Sequence, residues 1–406
     1  MNKDTNVIQK SDSLNQKRIA LCVTGGIAAC ETVKLSRELR RYGARVTAYM
    51  TEEAQKFMTP LSLAWATDEN VVTEFSKNAE HIDAFDLVLV APMTHNTLNQ
   101  FSHGTSSTVV TALLASAMGE KKPIVCVPTM HESMAKNPIY LESFHKLNAY
   151  DNITFIEALK EEEKEKFPDI QTLVLECAHL VNRSSKLAGK HVLLTGGPTK
   201  APIDAVRYIS NFSTGELSVQ LANEIYAQGA NVTLVYGPGR VIPPLKNYRV
   251  VDVETPQDML DQVLSEVQYQ KVDAAIFSAA VLDHVPFNPV SQKLSSKNDL
   301  HVSFQKTPKI IREIDRVTRK SCESVTKNLF KIGFKLEVGK TKEALIQIGK
   351  DSLENMNAQV MVLNNLNEIS NEKHKAYILN RSLEIQEVQT KKEMIHALLN
   401  ILQHVL

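Results

Sequence analysis

An apolar strand that runs into Thr-Gly-Gly occurs twice in this chain, in IALCVTGGIAACETVK at 19–34 and in HVLLTGGPT at 191–199. Glycines let the backbone turn tightly out of a buried strand, so that the N–H groups and dipole of a following helix point at an anion, usually a phosphate. Neither copy has the G-x-G-x-x-G spacing or a Walker lysine. A single copy is equally well explained by a tight turn without a ligand, but the repetition predicts two phosphate-binding α/β domains.

The composition narrows the class of protein. The chain has 406 residues, 43% of them hydrophobic, which is enough for two cores of ordinary domain size. Lys plus Arg and Asp plus Glu number 46 each, so nothing favours nucleic acid or an anionic membrane, and small molecules are the expected partners. The five cysteines lack C-x-x-C or metal-ligand spacing, and we find neither a membrane-spanning run nor a signal-peptide pattern. These features predict a cytoplasmic protein with reduced thiols.

Strand and helix patterns alternate along the chain, as in an open, mostly parallel sheet covered by helices. The sequence therefore predicts an α/β fold with two doubly wound (Rossmann-like) domains, in which ligands collect at the carboxyl ends of the strands. The clearest predicted strands are 19–23, 45–50, 87–91 and 124–128 in the first domain, and 191–194, 231–235 and 274–278 in the second. We expect a disordered lead-in at 1–16, domains at 17–183 and 191–406, and a polar linker at 184–190.

The second domain carries the most specific motifs. They are TGGPTKAPIDAVRYISNFSTGELS from 195, SAAVLDH from 278, QKLSSK from 292, KTPKII from 306 and GFKLE from 333. Together and in this order they closely resemble the phosphopantothenate–cysteine ligase domain of coenzyme A biosynthesis, from about 191 to the C-terminus. Alone, Asn211 would be read as a loop cap and Lys293 as a solvated charge. The five ordered segments favour the ligand-binding interpretation.

This resemblance implies that 4′-phosphopantothenate reacts with a nucleoside triphosphate, CTP or ATP, and that cysteine then displaces the nucleotide to form an amide. Asn211 and Lys293 are the implied catalytic residues, and Mg²⁺ is the implied counter-charge of the phosphates. Many bacterial members carry further lysines where this chain has Ser295 and Ser296, which leaves the roles of Lys293, Lys297 and Lys306 open. The implied nucleotide- and substrate-binding residues are Gly197, Thr199, Arg207, Ser213, Gly215, Ala280, Asp283, Lys306, Pro308, Lys309, Ile310, Phe334 and Lys335.

The first domain resembles phosphopantothenoylcysteine decarboxylase, a flavodoxin-like flavoprotein that is often fused to this ligase. The matching segments are TGGIAA, MTEEAQKFMTP, HID, VLVAPMTHNTL, TSSTVVTALLA and PTMHESM. The resemblance implies an FMN cofactor and oxidative decarboxylation of 4′-phosphopantothenoylcysteine to 4′-phosphopantetheine. The implied FMN-binding positions are Thr24, Gly25, Gly26, Thr51, Thr94, Asn96, Ser107 and Thr111, although Thr94 and Asn96 also suit a helix cap.

Two histidines are the implied catalytic residues of this domain. His81 matches the acid/base histidine of the family, and His131 stands where bacterial and plant members have a carboxylate-binding asparagine. The cysteine-containing flap of those members is absent, and PTMHESM with the acidic EEEKEK resembles fused archaeal members instead. We interpret Cys177 as a core thiol. Two alternatives stay open: an active ligase fused to a non-catalytic flavin-binding or assembly domain, and a regulatory binding protein. The resemblance also implies a homo-oligomer.

Overall fold

The computed structural model describes residues 4–77, 79–82, 84–157, 159–161, 164–296, 299–320, 328–370 and 373–406. The chain divides into two compact units, Met1–Ser184 and Ser185–Leu406. Each unit has its own sheet and its own hydrophobic clusters.

The first unit contains a five-stranded sheet covered by helices. Its strands are β1 (Arg18–Val23), β2 (Arg45–Met50), β3 (Leu87–Met93), β4 (Ile124–Pro128) and β5 (Ile153–Phe155), and its α-helices are α1 (Thr32–Arg41), α2 (Pro60–Thr67), α3 (His95–Ser102), α4 (Val109–Gly119), α5 (Glu132–Ala135), α6 (Pro138–Asn148) and α7 (Ile170–Val181). Short 3₁₀ turns span Ile27–Glu31, Ala54–Lys56 and Glu80–Ile82. A small antiparallel hairpin of β6 (Leu159–Glu161) and β7 (Lys164–Lys166) follows β5.

All pairings in the five-stranded sheet are parallel, and the strand order is β2-β1-β3-β4-β5. The central strands are apolar throughout because helices cover both faces of a parallel sheet, and β3 is buried along its whole length. This order is that of flavodoxin-like folds, in which ligands bind where the chain reverses direction between β1 and β3. The predicted flavodoxin-like α/β fold of this half is confirmed.

The predicted disordered lead-in is wrong for the residues from 4 onward. Leu14 is completely buried, and Lys10 pairs with Glu38 of α1 at 2.6 Å. Asn182, just after α7, donates from Nδ2 to the backbone oxygen of Ser13 at 2.7 Å. The buried Leu14 and these polar contacts anchor the segment to the domain.

The second unit has a larger, mixed sheet. Its strands are β8 (His191–Gly196), β9 (Lys200–Pro202), β10 (Tyr208–Ser210), β11 (Asn231–Tyr236), β12 (Arg249–Asp252), β13 (Ala274–Phe277), β14 (His284–Pro286), β15 (Phe304–Lys306), β16 (Phe330–Glu337), β17 (Val360–Asn365), β18 (Ala376–Asn380) and β19 (Ile385–Val388). Its α-helices are α8 (Glu216–Ala227), α9 (Pro256–Tyr269), α10 (Ile310–Lys320), α11 (Lys342–Asn355) and α12 (Lys391–Val405), and a 3₁₀ turn spans Leu366–Glu368.

The strand order of the main sheet is β12-β11-β8-β13-β16-β17-β18-β19. The strands from β12 to β17 are parallel and form the doubly wound part of the unit, whereas β18 and β19 are added antiparallel. Two hairpins, β9 with β10 and β14 with β15, lie outside the main sheet. The predicted α/β fold of this half is confirmed, with the antiparallel strands as an addition that the sequence did not indicate.

The segment predicted as a linker is packed into the second unit. Leu187 is completely buried, and the Ser185 hydroxyl donates to the backbone oxygen of Gln228. The second unit therefore begins at about Ser185 rather than at the first residue of β8.

The cysteines behave largely as expected. Cys22, Cys126 and Cys177 are buried, and burial raises the pKa of each thiol. The interpretation of Cys177 as a core thiol is confirmed, whereas Cys30 is exposed and Cys322 lies outside the described residues. Over the described ranges, no helix combines the length and the apolar character that crossing a bilayer requires.

A fragment that begins at Ser184 is predicted to fold by itself, because it keeps a complete sheet and the buried Leu187. In this fragment, Leu187→Ala should lower the free energy of unfolding in urea by about 2–5 kcal/mol, since it leaves a cavity. Leu300→Ala, at an exposed position, is the control and should have little effect. An unfolded parent fragment, or equal effects of the two substitutions, would contradict the prediction.

Candidate active sites

A pocket of about 430 Å³ opens at the carboxyl edge of the first sheet, and we call it the N-terminal pocket. Its walls come from the loops after β1, β2, β3 and β4 and from the start of α4. They are rich in hydroxyl groups, which suit a phosphorylated ligand, and the volume is that of a small-molecule site. The lining residues are Gly25, Thr51, Glu53, Thr94, His95, Asn96, Thr97, Gln100, Thr108, Thr129, Met130, His131 and Met134.

The Gly25 turn is fixed by close packing. A Cβ atom at Gly25 would lie 2.4 Å from Cβ of Glu53, so the loop after β2 leaves no room for a side chain there. The preceding Thr24 is completely buried, and its Oγ1 donates to the backbone oxygen of Pro92 at 2.8 Å and accepts from the backbone N–H of Thr94 at 3.0 Å. Thr24 therefore joins the loops after β1 and β3 beneath the pocket.

The structure brings most of the predicted residues of this half together. Gly25, Thr51, Thr94, Asn96 and His131 all line the N-terminal pocket. Thr94 also caps α3, because its Oγ1 accepts from the backbone N–H of Thr97 at 3.4 Å. Thr94 thus caps the helix and also forms part of the pocket wall. Its interpretation as a helix cap and its interpretation as an FMN-binding position do not exclude each other.

Other predicted positions have different surroundings. Thr111 is almost completely buried and forms a capping box with Thr108 at the start of α4, so Thr108, not Thr111, reaches the pocket wall. Ser107 is exposed next to Thr108, and Gly26 begins the 3₁₀ turn behind Gly25. The side chain of His81 lies outside the described residues.

His95 is a pocket residue that the sequence analysis missed. It is the first residue of α3 and shares the pocket with His131. The segment APMTHNTL was interpreted through its proline, threonine and asparagine, and His95 stood between them as an unassigned position. The signal in the sequence was a titratable side chain, His95, next to the predicted helix cap Thr94.

A second pocket, of about 500 Å³, lies at the carboxyl edge of the second sheet, and we call it the C-terminal pocket. Its lining residues are Ile209, Asn211, Val281, Leu282, Asp283, His284 and Phe304. Nδ2 of Asn211 donates to the backbone oxygen of Ala280 at 3.0 Å, and the Asp283 carboxylate is paired with Lys309. Two predicted site residues, Asn211 and Asp283, therefore line this pocket, and two more, Ala280 and Lys309, bond to them.

The turn after β8 is built around Gly197. Its φ of +70° is in the left-handed region, and a Cβ there would lie 2.5 Å from the backbone oxygen of Gly237. The Gly197 oxygen accepts from the N–H of Ala280 at 2.9 Å. Thr199 is buried, and its Oγ1 accepts from the N–H of Leu282 at 3.0 Å. This predicted ligand-binding residue therefore supports the loop after β13 from below. Unlike the first Gly-Gly turn, this one leads into the β9–β10 hairpin and not directly into a helix.

The Asp204 carboxylate connects the two segments that carry the predicted residues Arg207 and Lys293. The sequence motifs assign no role to Asp204. One carboxylate oxygen accepts from the backbone N–H groups of Val206 and Arg207, at 2.8 and 2.7 Å. The other accepts from Nε of Arg207 at 2.8 Å and from the N–H of Leu294 at 3.1 Å. Arg207 in turn donates from Nη2 to the Leu294 oxygen at 2.7 Å.

These contacts connect the β9–β10 hairpin to the segment that carries Lys293. The hydrogen bond from Arg207, supported by the backbone donors, holds the pKa of the Asp204 carboxyl well below its usual value. Lys293 itself is exposed beside Leu294. Only the folded chain reveals this arrangement, because Asp204 and Leu294 are far apart in sequence.

The remaining predicted residues of this half differ in exposure. Ser213 accepts at Oγ from the N–H of Gly215, the left-handed residue that precedes α8, and Phe334 and Lys335 lie half-buried on β16. Lys306 and Pro308 are exposed. The side chain of Ile310 is instead packed in the core between α9 and α10, so a contact of that side chain with a nucleotide is not supported. Lys297 lies outside the described residues.

A larger cavity of about 680 Å³ lies beside the Gly197 turn and was not predicted. It is lined by Gly237, Pro238 and Gly239 after β11 and by the acidic residues Asp252, Glu254, Asp258 and Asp261. These carboxylates make its outer wall unfavourable for phosphate groups. Within the described parts of the chain, no cluster of three or more His, Cys, Asp or Glu side chains has the arrangement of a metal site.

Comparison with known proteins identifies the family of both units. Residues 187–405 match the family described as DNA/pantothenate metabolism flavoprotein C-terminal domain, and residues 7–182 match the flavoprotein family. The coenzyme A biosynthesis bifunctional protein CoaBC of Thermococcus kodakarensis is 36% identical over 379 residues, which are 92% of this chain and 91% of that protein. The chain belongs to the CoaBC family.

The chain is also similar to a second archaeal protein and to one solved structure. The CoaBC protein of Methanocaldococcus jannaschii is 31% identical over 393 residues, which are 95% of this chain and 93% of that protein. The crystal structure of the DNA/pantothenate metabolism flavoprotein from Streptococcus pneumoniae has 28% identity and a TM-score of 0.47, covering 53% of this chain and 99% of that one. The predicted resemblance to fused archaeal members is confirmed by the two archaeal relatives.

This member of the CoaBC family is therefore a bifunctional enzyme of coenzyme A biosynthesis. Its first unit is the flavoprotein decarboxylase half and its second unit is the ligase half. The two pockets described above lie at the sheet edges of these two halves.

Gly25→Ala is predicted to destabilise the first unit by about 1–3 kcal/mol, because the added methyl group must displace the backbone near Glu53. The measurement is the free energy of unfolding in urea. Gly119→Ala is the matched control: it stands at the end of α4 with open space around it, so it should be neutral or slightly stabilising. Equal stabilities of the two variants would show that Gly25 is not sterically required.

Asp204→Asn is predicted to destabilise the second unit in a pH-dependent way. Because the pKa of Asp204 is lower in the folded state than in the unfolded state, the carboxylate stabilises the fold above about pH 4, and this contribution is lost as the pH falls toward the folded-state pKa. The difference in unfolding free energy between wild type and variant should therefore be constant above about pH 5 and shrink below about pH 4.

The control for this experiment is Asp351→Asn, on the exposed side of α11, where the carboxylate contacts Gln347 of the same helix. It should change the unfolding free energy little. A difference for Asp204→Asn that stays the same down to pH 3 would contradict the assignment of the low pKa.

Proposed function

We propose that the second unit joins 4′-phosphopantothenate to cysteine at the expense of CTP or ATP, and that the first unit uses FMN to decarboxylate the product to 4′-phosphopantetheine. The proposal is carried by one observation: a pocket lies at the carboxyl edge of each sheet, and predicted motif residues line it, five in the first unit and Asn211 with Asp283 in the second. Ligand sites of doubly wound folds lie at this edge.

The N-terminal pocket fits FMN in the chemistry of its walls. The backbone at Gly25 forms part of the wall, and Thr51, Thr94 and Thr108 supply hydroxyl groups for the phosphate and the ribityl chain. The pocket lies next to β1 and β3, where flavodoxin-like folds bind FMN. When bound, FMN supplies an acceptor and donor of a hydride, which allows decarboxylation without net redox change.

His131 binds the substrate carboxylate in this proposal. It precedes α5 at the carboxyl end of β4 and reaches the pocket from the side opposite the Gly25 turn. An imidazole N–H can donate to a carboxylate as the asparagine amide of bacterial and plant members does. His81 remains the proposed acid/base on the strength of its motif alone.

In the C-terminal pocket, Asn211 orients the reacting carboxylate. Its amide nitrogen has two hydrogens, and the one that the Ala280 oxygen does not use is available to a substrate oxygen. Lys293, held near Arg207 through Asp204, supplies positive charge to the phosphates in transit. Asp283 and Lys309 bind the nucleotide, and their ion pair must open or be shared when it enters. Mg²⁺ accompanies the triphosphate.

The deciding experiment incubates the purified chain with 4′-phosphopantothenate, cysteine, Mg²⁺ and either CTP or ATP, and follows the products by mass spectrometry. Accumulation of 4′-phosphopantetheine supports both reactions, and the nucleotide that sustains it is the co-substrate. Accumulation of 4′-phosphopantothenoylcysteine alone would overturn the proposed decarboxylation, and the absence of any product with either nucleotide would overturn both.

His131→Asn is predicted to keep decarboxylation within about tenfold of wild type, because asparagine offers the same kind of donor. His131→Leu should lower the decarboxylation rate at least a hundredfold, as expected when a hydrogen bond to a charged group is lost together with substrate orientation. Both variants should keep the wild-type ligation rate, which is the internal control in the same assay. Equal decarboxylation by the two variants would remove His131 from the substrate site.

A further inference from the structure

His95 is held rigidly in the wall of the N-terminal pocket. Its ring stacks on the buried ring of Tyr140 of α6, with centroids 5.6 Å apart and planes inclined by 20°. Nδ1 of His95 lies 3.1 Å from Nδ2 of Asn99, one helical turn further along α3. The ring is therefore fixed on one face by stacking and at one nitrogen by a hydrogen bond.

The hydrogen bonds decide which ring nitrogen carries the proton. Nδ2 of Asn99 also lies 2.9 Å from the backbone oxygen of His95, and a carbonyl oxygen can only accept, so this atom of Asn99 must be the NH₂ group. Its second hydrogen then points at Nδ1 of His95, which must accept. The proton of the neutral imidazole is consequently on Nε2.

Further contacts keep Asn99 in this orientation. The Ser143 hydroxyl donates to Oδ1 of Asn99 at 2.7 Å, and the Ser102 hydroxyl lies 2.9 Å from that of Ser143. With Nδ1 accepting from Asn99, the ring donates from Nε2. Among the described residues, Nε2 of His95 has no hydrogen-bond partner, which leaves an N–H donor for a ligand in the pocket.

We propose that Nε2–H of His95 binds the carboxylate of the cysteinyl substrate together with His131, an inference that rests on the function proposed above. His95 follows β3, and its ring leans on α6, which follows β4, so it lies on the same side of the pocket as Thr129, Met130 and His131. Gly25 and Thr51, which suit a phosphate, follow β1 and β2 on the other side.

A neutral donor suits a carboxylate that leaves as CO₂. A buried cation would stabilise the charged ground state most strongly, and that stabilisation is lost when the C–C bond breaks. A neutral N–H orients the group with a smaller ground-state effect. In this proposal His95 is a substrate-binding residue.

The test uses the full chain and two unreactive ligands that differ in one group. 4′-Phosphopantothenoylserine keeps the carboxylate but has no thiol to oxidise, and 4′-phosphopantothenoylethanolamine lacks the carboxylate. Binding is followed by the perturbation of the visible flavin spectrum, which reports on the N-terminal pocket and not on the ligase unit. The variants are His95→Phe, which keeps a ring to stack on Tyr140, and His95→Gln, which keeps an N–H donor.

We expect His95→Phe to weaken the serine ligand at least tenfold, as for a lost hydrogen bond to a charged group, and the ethanolamine ligand less than twofold. His95→Gln should restore most of the difference. His145→Phe, at an exposed histidine of α6, is the matched control and should change neither affinity.

Equal weakening of both ligands by His95→Phe, or no change in either, would overturn the role of His95 while the proposed function stands. Weaker retention of flavin in His95→Phe, with unchanged preference between the two ligands, would also overturn it and assign His95 to the cofactor. A wild-type protein without a flavin spectrum would instead overturn the proposed function itself.

Discussion

A buried threonine hydroxyl ties two loops together at the edge of each sheet, and both pockets depend on it. Thr24 and Thr195 hold the same position in the two Thr-Gly-Gly segments. Oγ1 of Thr24 accepts from the N–H of Thr94 after β3, and Oγ1 of Thr195 accepts from the N–H of Ala279 after β13, at 3.3 Å. In both units the partner loop follows the neighbouring strand of the sheet. The repeated threonine therefore holds each pair of loops together, and Gly25 after Thr24 lines the N-terminal pocket.

The loops beneath each pocket and the pocket rim are built from different kinds of chemical groups. The loops beneath the pockets consist of backbone groups and buried hydroxyls, as at Thr24, Gly197 and Thr199, and most of their hydrogen bonds are internal. The pocket linings themselves carry exposed side chains such as His131 and Asn211. A rim residue can therefore change without disturbing the loops beneath it.

Much of the architecture could be predicted because it is local. Strands β2 and β4 were predicted with their observed bounds, since a buried parallel strand is a continuous apolar run between turn residues. The failures involve contacts that are distant in sequence. Leu14 anchors a polar segment, and Ile310 turns its side chain into a core. Thr111 is a local exception, because it forms the cap of α4 with Thr108. Asp204 and His95 were missed for the same reason, because only their folded neighbours make them distinctive.

The hydrogen bonds to the Asp204 carboxylate affect how fast the ligase half can bind its substrates. Both carboxylate oxygens of Asp204 already accept hydrogen bonds from donors in two separate segments of the chain. The loop of the β9–β10 hairpin and the segment around Lys293 are therefore held in one conformation before any ligand binds. The conformational entropy of ordering these loops is lost during folding and not during the encounter. Association should consequently not require a slow search for a binding-competent conformation of these two segments.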